Sequence, residues 1–334
     1  MQATIWVGGY GAKGEDGVRS FRFCTQTGEL VETRRYDGLQ RPSFLALGAS
    51  GGLLYAVEEL TPMGFVHALR ITPNGLEEVA TLASRGADPC HLSLASEGRL
   101  LLVSNYSSGS LGVFPLDDKG VPREPCELIA HEGRGANPVR QEASHAHFAR
   151  EADGVIYATD LGLDCVYRYR TGAEGLAECG AAFALPSGVG PRHLAFDDQR
   201  IYVACELSNE VVVLGRQDGA VLQRIGTLPA DFAGESTVAA IRLCDGFLFV
   251  SNRGSDSIAA YEIGRDGTLS LCDVKPCGGC SPRDFDMVGE WLVVANQASD
   301  SLSALRWQRD AKRLSSAVTL ASMVKPTCVC VQAP

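Results

Sequence analysis

Three residues in the second half of the chain combine charge types that suit acyl chemistry. Arg192 opens the stretch PRHLAF, Glu206 closes the next run, IYVACE, and Arg253 follows Asn252 in FVSNRG. An arginine can hold a carboxylate or phosphate through two parallel hydrogen bonds, or stabilise an oxyanion as it forms. A glutamate or histidine can activate water as a general base. Histidines stand at His145 and His147 in EASHAHF, at His193 beside Arg192, and at His91 in PCHL. No G-x-S-x-G nucleophile occurs in a strand–turn–helix setting, so direct attack by water is expected rather than a covalent intermediate. The same Arg–Glu–Arg set is also compatible with a salt-bridge network that only holds strands together, since buried ion pairs can be structural.

These residues recur at fixed places in a repeat. The ends of apolar runs align as LYAVEEL, LLVSNYSSGS, IYATDLGLD, IYVACELSNE, LFVSNRGSDS and LVVANQASDS. The polar residue after each run is Glu58, Asn105, Asp160, Glu206, Asn252 or Asn296, at spacings of 47, 55, 46, 46 and 44 residues. TIWVGGY fits the same register at Gly8, and counting through the chain ends from Asn296 to Gly8 gives 46. Short β-branched and aromatic runs bounded by Gly, Asn, Asp and Ser, without helical periodicity, indicate strands. Four strands per repeat and a period in the forties indicate an all-β, seven-bladed β-propeller of four antiparallel strands per blade. The C-terminal PTCVCVQAP would supply the inner strand of a blade begun by TIWVGGY, closing the ring with both chain ends. The whole chain, 1–334, is expected to form one such domain.

In an antiparallel hairpin the first residue of one strand neighbours the last of the next. The inner-strand starts, aligned as Ser43-Phe44, Cys90-His91, Ala146-His147, Arg192-His193, Ala239-Ala240, Arg283-Asp284 and Thr327-Cys328, therefore share one mouth of the central channel with the polar column. That mouth collects His91, His147, His193, Arg192, Arg283, Glu206, Asp160, Asn105 and Asn252, with Arg253 reaching the same turn. Asn296 and Asp160 are read as turn caps. A packing role for His91 stays open beside a catalytic one. The longest interval holds residues 128–147, a Gly-, His- and Arg-containing connection of the kind that often carries function.

Composition bounds the rest. A formal charge of −10 argues against a nucleic-acid partner, and no apolar run approaches the length of a membrane span. The N-terminus lacks the features of a signal peptide. The twelve cysteines are read as cytosolic thiols, and the chain as cytoplasmic. Cys277 and Cys280 form a close pair without the second half a zinc site needs, so no metal and no cofactor are expected.

The segments GRGANPVRQEASHAHF (133–148), DLGLDCVYRY (160–169), GVGPRHLAF (188–196), ELSNEV (206–211), FVSNRGSDSIAAY (249–261), NYSSGSLGVF (105–114) and SPRDF with LVVANQASDSL (281–302) resemble the lactonase family of seven-bladed β-propellers. That family includes propeller-type bacterial 6-phosphogluconolactonases and fungal carboxymuconate-lactonising enzymes. The resemblance spans essentially the whole chain. It implies catalytic roles for His147, Arg192, Glu206 and Arg253. Substrate contacts are expected from His145, His193, Arg140, Glu142, Asn105, Asn252 and Arg283 around them. Ser144 stands where the family often has proline, a departure that bears on His145 more than on His147. The implied activity is hydrolysis of a small-molecule lactone, 6-phosphogluconolactone of the pentose phosphate pathway first. A muconate-type cycloisomerase or another lactonase, and a non-catalytic binding propeller, are the alternatives.

Overall fold

The computed structural model describes residues 2–124, 126–172 and 175–332. Seven antiparallel sheets account for its strands, five of four strands and two with a fifth short strand. The architecture is the all-β, seven-bladed β-propeller expected from the repeat. Residue contacts divide the chain into two compact units: Met1–Asp37 with Arg192–Pro334, and Gly38–Pro191.

The first unit holds four blades. One is built from both chain ends. Strand Pro326–Gln332 pairs antiparallel with Gln2–Gly9, setting Trp6 opposite Cys330 and Gly8 opposite Cys328. Ile5, Trp6 and Val7 are fully buried. The Trp6 indole N–H donates to Gln332 Oε1 at 3.1 Å. The other three blades start at Pro191–Phe196, Thr237–Cys244 and Pro282–Val288. The second unit holds three, starting at Leu45–Leu47, Pro89–Ala95 and Ala146–Ala152. Alternating side chains of neighbouring blades interdigitate to make the cores. Tyr202, Val211 and Val213 meet Ile241, Val250 and Tyr261 in the first unit, while Leu102, Leu111 and Val113 meet Ala149, Ile156 and Ala158 in the second. Tight hairpins use Asp-Gly at 153–154 and 245–246, all four residues at positive φ. That is the backbone demanded by a two-residue turn matching strand twist.

One irregularity repeats, and it matters for the site. Pro89 faces Asn105 and His91 faces Ser104, so Cys90 is an extra residue in the inner strand. Likewise His147 lies between Ala146, opposite Asp160, and Phe148, opposite Thr159. Arg283 lies between Pro282, opposite Asn296, and Asp284, opposite Ala295. Thr327 lies between Pro326 and Cys328, opposite Gly9 and Gly8. Such bulges re-aim a side chain. The register therefore places His147 level with Cys90 and Arg283. This corrects the sequence alignment, which grouped His147 with His91. His91 lies one residue further along its strand.

Candidate active site

In the first unit the two arginines and the glutamate meet. Arg192 is the second residue of the inner strand Pro191–Phe196, Glu206 follows strand Arg200–Cys205, and Arg253 ends strand Phe247–Arg253 of the next blade. Glu206 Oε2 lies 3.0 Å from Arg192 Nε and 2.8 Å from Arg253 Nη2. The Arg192 and Glu206 side chains are only 3% and 5% exposed, and that of Arg253 15%. Main-chain oxygens fix the guanidinium planes: Arg192 Nη1 donates to Ala239 O at 3.0 Å, and Arg253 Nη2 to Val238 O at 3.2 Å. Both acceptors lie where the inner strand Thr237–Cys244 departs from regular pairing. His193 Nε2 accepts from Arg192 Nη1 at 3.2 Å, which requires a lone pair on that nitrogen. Two guanidiniums thus share one oxygen of Glu206 in a largely dry setting. Oε2 already sits against two guanidiniums in ion-pair contact. The geometry suits Glu206 to orienting the arginines, and suits the arginines to holding or stabilising negative charge.

In the second unit the histidines of EASHAHF gather around the turn after strand Leu100–Asn105. His147 Nδ1 lies 3.8 Å from Cys90 Sγ, whose thiol also reaches the His147 carbonyl at 3.5 Å. His145 Nδ1 donates to the Tyr106 carbonyl at 3.1 Å, and its Nε2 is 3.3 Å from Glu142 Oε1. Glu142 is exposed; hydrogen bonding to its own backbone N–H and then to His145 holds its carboxyl below the ordinary value. Arg140 Nη2 is 3.4 Å from the Tyr106 hydroxyl.

The connection that carries these groups is anchored from within. Gln141 is fully buried, donates to Leu161 O at 2.9 Å and accepts from Asn137 N at 2.9 Å. Gly162 packs so closely that a Cβ there would meet Ala143 O at 1.9 Å. Asp160 ties down the segment's start. Its carboxylate accepts from the backbone N–H of His145 at 2.8 Å and from the Ser144 hydroxyl, and it receives the His131 Nδ1–H at 3.0 Å. His131 Nε2 in turn accepts from the Tyr169 hydroxyl at 2.7 Å, a group that burial pushes well above its ordinary range and so keeps protonated.

Other expected contacts have different occupations. Asn105 and Asn252 are fully buried, and their amides bridge the blade: Asn105 to Ser84 O and Ser110 Oγ at 3.2 Å each, Asn252 to Thr227 O at 2.9 Å and Ser257 Oγ at 3.1 Å. They join Asp160 and Asn296 in holding turns: each of the three asparagines reaches a serine of its own third strand, and Asp160 instead accepts from Ser144, His145 N and Leu163 N. His91 is sandwiched between Phe44 and Phe148, ring centroids 4.4 and 4.3 Å away. Arg283 lies over the Tyr10 ring at 5.1 Å with Nη1 3.3 Å from Gln297 Oε1. All twelve cysteines are free thiols; Cys277 is buried and Cys280 exposed.

Sequence reasoning passed over Tyr106 and Cys90. Arg253 was found because it directly follows a polar-column residue. Tyr106 follows Asn105 and Gln297 follows Asn296 by the same offset, so the same rule reaches both. Cys90 was hidden by the bulge, which only the register reveals.

Residues 4–331 match the family described as "Lactonase, 7-bladed beta-propeller". The 6-phosphogluconolactonase of Bacillus subtilis strain 168 is 33% identical, with 97% of each chain covered. Among solved structures, a Lactobacillus plantarum protein superposes with a TM-score of 0.92 at 30% identity over the full length of both chains. The Pseudomonas aeruginosa periplasmic gluconolactonase superposes with a TM-score of 0.91 at 26% identity, covering 100% of this chain and 99% of that one.

Proposed function

We propose that this chain, which belongs to the seven-bladed β-propeller lactonase family, hydrolyses a sugar lactone, with 6-phosphogluconolactone as the leading substrate. The observation that carries the proposal is the buried clamp of Arg192 and Arg253 on one oxygen of Glu206. Two guanidiniums gathered at one buried place suit a substrate or transition state that is anionic. In this reading water adds to the lactone carbonyl, the carbonyl oxygen becomes an oxyanion stabilised by an arginine, and the ring C–O bond breaks as the alkoxide takes a proton. His147 is assigned as the general base by its motif. Glu206 keeps the arginines in place, since its Oε2 is already engaged by both. The similarity to the Bacillus subtilis enzyme supports the phosphorylated substrate and a place in the pentose phosphate pathway. Twelve free thiols support a reducing, cytoplasmic setting.

A second reading, an unphosphorylated gluconolactone as substrate, is favoured by the similarity to the Pseudomonas aeruginosa gluconolactonase. Hydrolysis of freshly prepared 6-phosphoglucono-δ-lactone and of glucono-δ-lactone, each corrected for spontaneous opening, separates the two. A higher kcat/KM for the phosphorylated lactone is expected. Equal values would remove the phosphate-specific reading, and no enzymatic rate with either would remove both.

A further inference from the structure

The aromatic residue at the head of the NYSSGS turn touches three of the side chains that the H-x-H segment contributes. The Tyr106 ring lies flat on His145, with centroids 4.5 Å apart and planes 10° from parallel. It meets His147 edge-on at 5.6 Å and 81°. Its carbonyl accepts the His145 Nδ1–H, and its hydroxyl receives Arg140 Nη2. The turn holding it is itself pinned: Tyr106 N donates to Asp88 O at 3.0 Å, and Gly109 N to Tyr106 O at 3.2 Å.

We infer that Tyr106 is a positioning residue for the lactone chemistry, fixing the planes of His145 and His147 with its ring and the reach of Arg140 with its hydroxyl. The inference rests on the functional reading above. Stacking restricts rotation of the His145 ring. Donation from Nδ1 to the Tyr106 carbonyl settles which nitrogen carries that proton and turns Nε2 toward Glu142. The edge-on contact of the Tyr106 ring limits rotation of His147, and a histidine working as a base needs a fixed ring because proton transfer depends on the direction of its lone pair. The other blades carry Gly9, Glu59, Leu161, Leu207, Arg253 and Gln297 at the same offset, none of them aromatic. The aromatic residue stands in the blade next to the one that supplies His145 and His147.

Two substitutions divide the roles. Tyr106→Phe keeps the ring and removes the hydroxyl; Tyr106→Ala removes both. With the lactone that the wild-type protein turns over best, Y106A is expected to lose about 100-fold in kcat, the scale of a misplaced catalytic group. Y106F is expected to keep kcat within about threefold and to raise KM about tenfold, as befits loss of a contact that acts through Arg140 on binding alone. The acidic limb of the kcat/KM profile should move in Y106A and stay in place in Y106F. NMR of the six histidine rings, assigned with single His→Gln variants, supplies a readout that needs no substrate. The ring-current displacement of His145 should vanish in Y106A and persist in Y106F. Wild-type kinetics together with an unmoved His145 signal in Y106A would overturn the inference. A wild-type chain that opens no lactone while showing the Tyr106-dependent displacement would overturn the functional reading and leave the geometry standing.

Discussion

Replacing Glu206 by glutamine removes a charge and almost no volume, so its consequences can be worked from the clamp itself. Glu206 Oε2 holds two guanidiniums at 3.0 and 2.8 Å, and the three side chains are between 3% and 15% exposed. Removing one partner of a buried ion pair typically costs about 3–5 kcal/mol, because the remaining charge stays desolvated. A glutamine carbonyl can still accept from one arginine, which places E206Q near the lower end, about 3 kcal/mol. For a chain of this size the unfolding entropy near the midpoint is roughly 0.7 kcal/mol per kelvin, so the melting temperature should fall by about 4 °C. The arginines lose their common anchor at the same time, and kcat should fall by about 100- to 1,000-fold, the scale of losing one oxyanion donor. The assays are differential scanning calorimetry and lactone hydrolysis over a range of pH. If Glu206 orients the arginines, the pH–rate profile should drop in height and keep its acidic limb. If it were the base, that limb would disappear. A melting temperature within about 1 °C of wild type, with unchanged kcat/KM, would refute the account of the clamp, given the usual cost of breaking a buried pair.

Deleting residues 326–334 removes the inner strand of the blade shared by the chain ends and uncovers Ile5 and Val7, so soluble yield and melting temperature should both fall sharply; unchanged melting would contradict closure by this strand. Asn252→Ala should cost about 1–3 kcal/mol of stability by leaving its buried partners unsatisfied, with little change in KM, and a large KM change at unaltered stability would return Asn252 to the substrate site. Among thiols with access to solvent, Cys24 should be alkylated by iodoacetamide before the more exposed Cys280. Hydrogen bonding from Thr27 lowers the pKa of Cys24, so its thiolate is populated at lower pH, whereas Asp256 raises that of Cys280; peptide mass spectrometry after brief labelling gives the order, and the reverse order would contradict this account.

The repeat and the strand chemistry were legible in the sequence because both are local. A strand needs its own β-branched and aromatic run and a turn needs its own Asp-Gly. A period counted through the chain ends sufficed to predict that one blade is made from both termini. The types of the site residues were legible for the same reason: Arg192 and Glu206 are charged where their counterparts in other blades are mostly small or amide-bearing, and Arg253 is the one cation at its offset. Their fate was not. Asn105 and Glu206 occupy the same column, yet Asn105 ties its own third strand to the end of the preceding blade through neutral hydrogen bonds, while Glu206 is held by two arginines, one of them from the next blade. That difference depends on which side chains lie across the inter-blade gap, dozens of residues away in sequence. His147 was assigned to the wrong neighbours because shared residue type aligns it with His91, whereas its place is set by backbone pairing with the next strand, which puts it level with Cys90. The sequence by itself determined the sheets, their number and the kinds of charge available. Only the tertiary structure decided which polar groups hold the blades and which converge, because a buried polar side chain takes its role from the partners that desolvation obliges it to find.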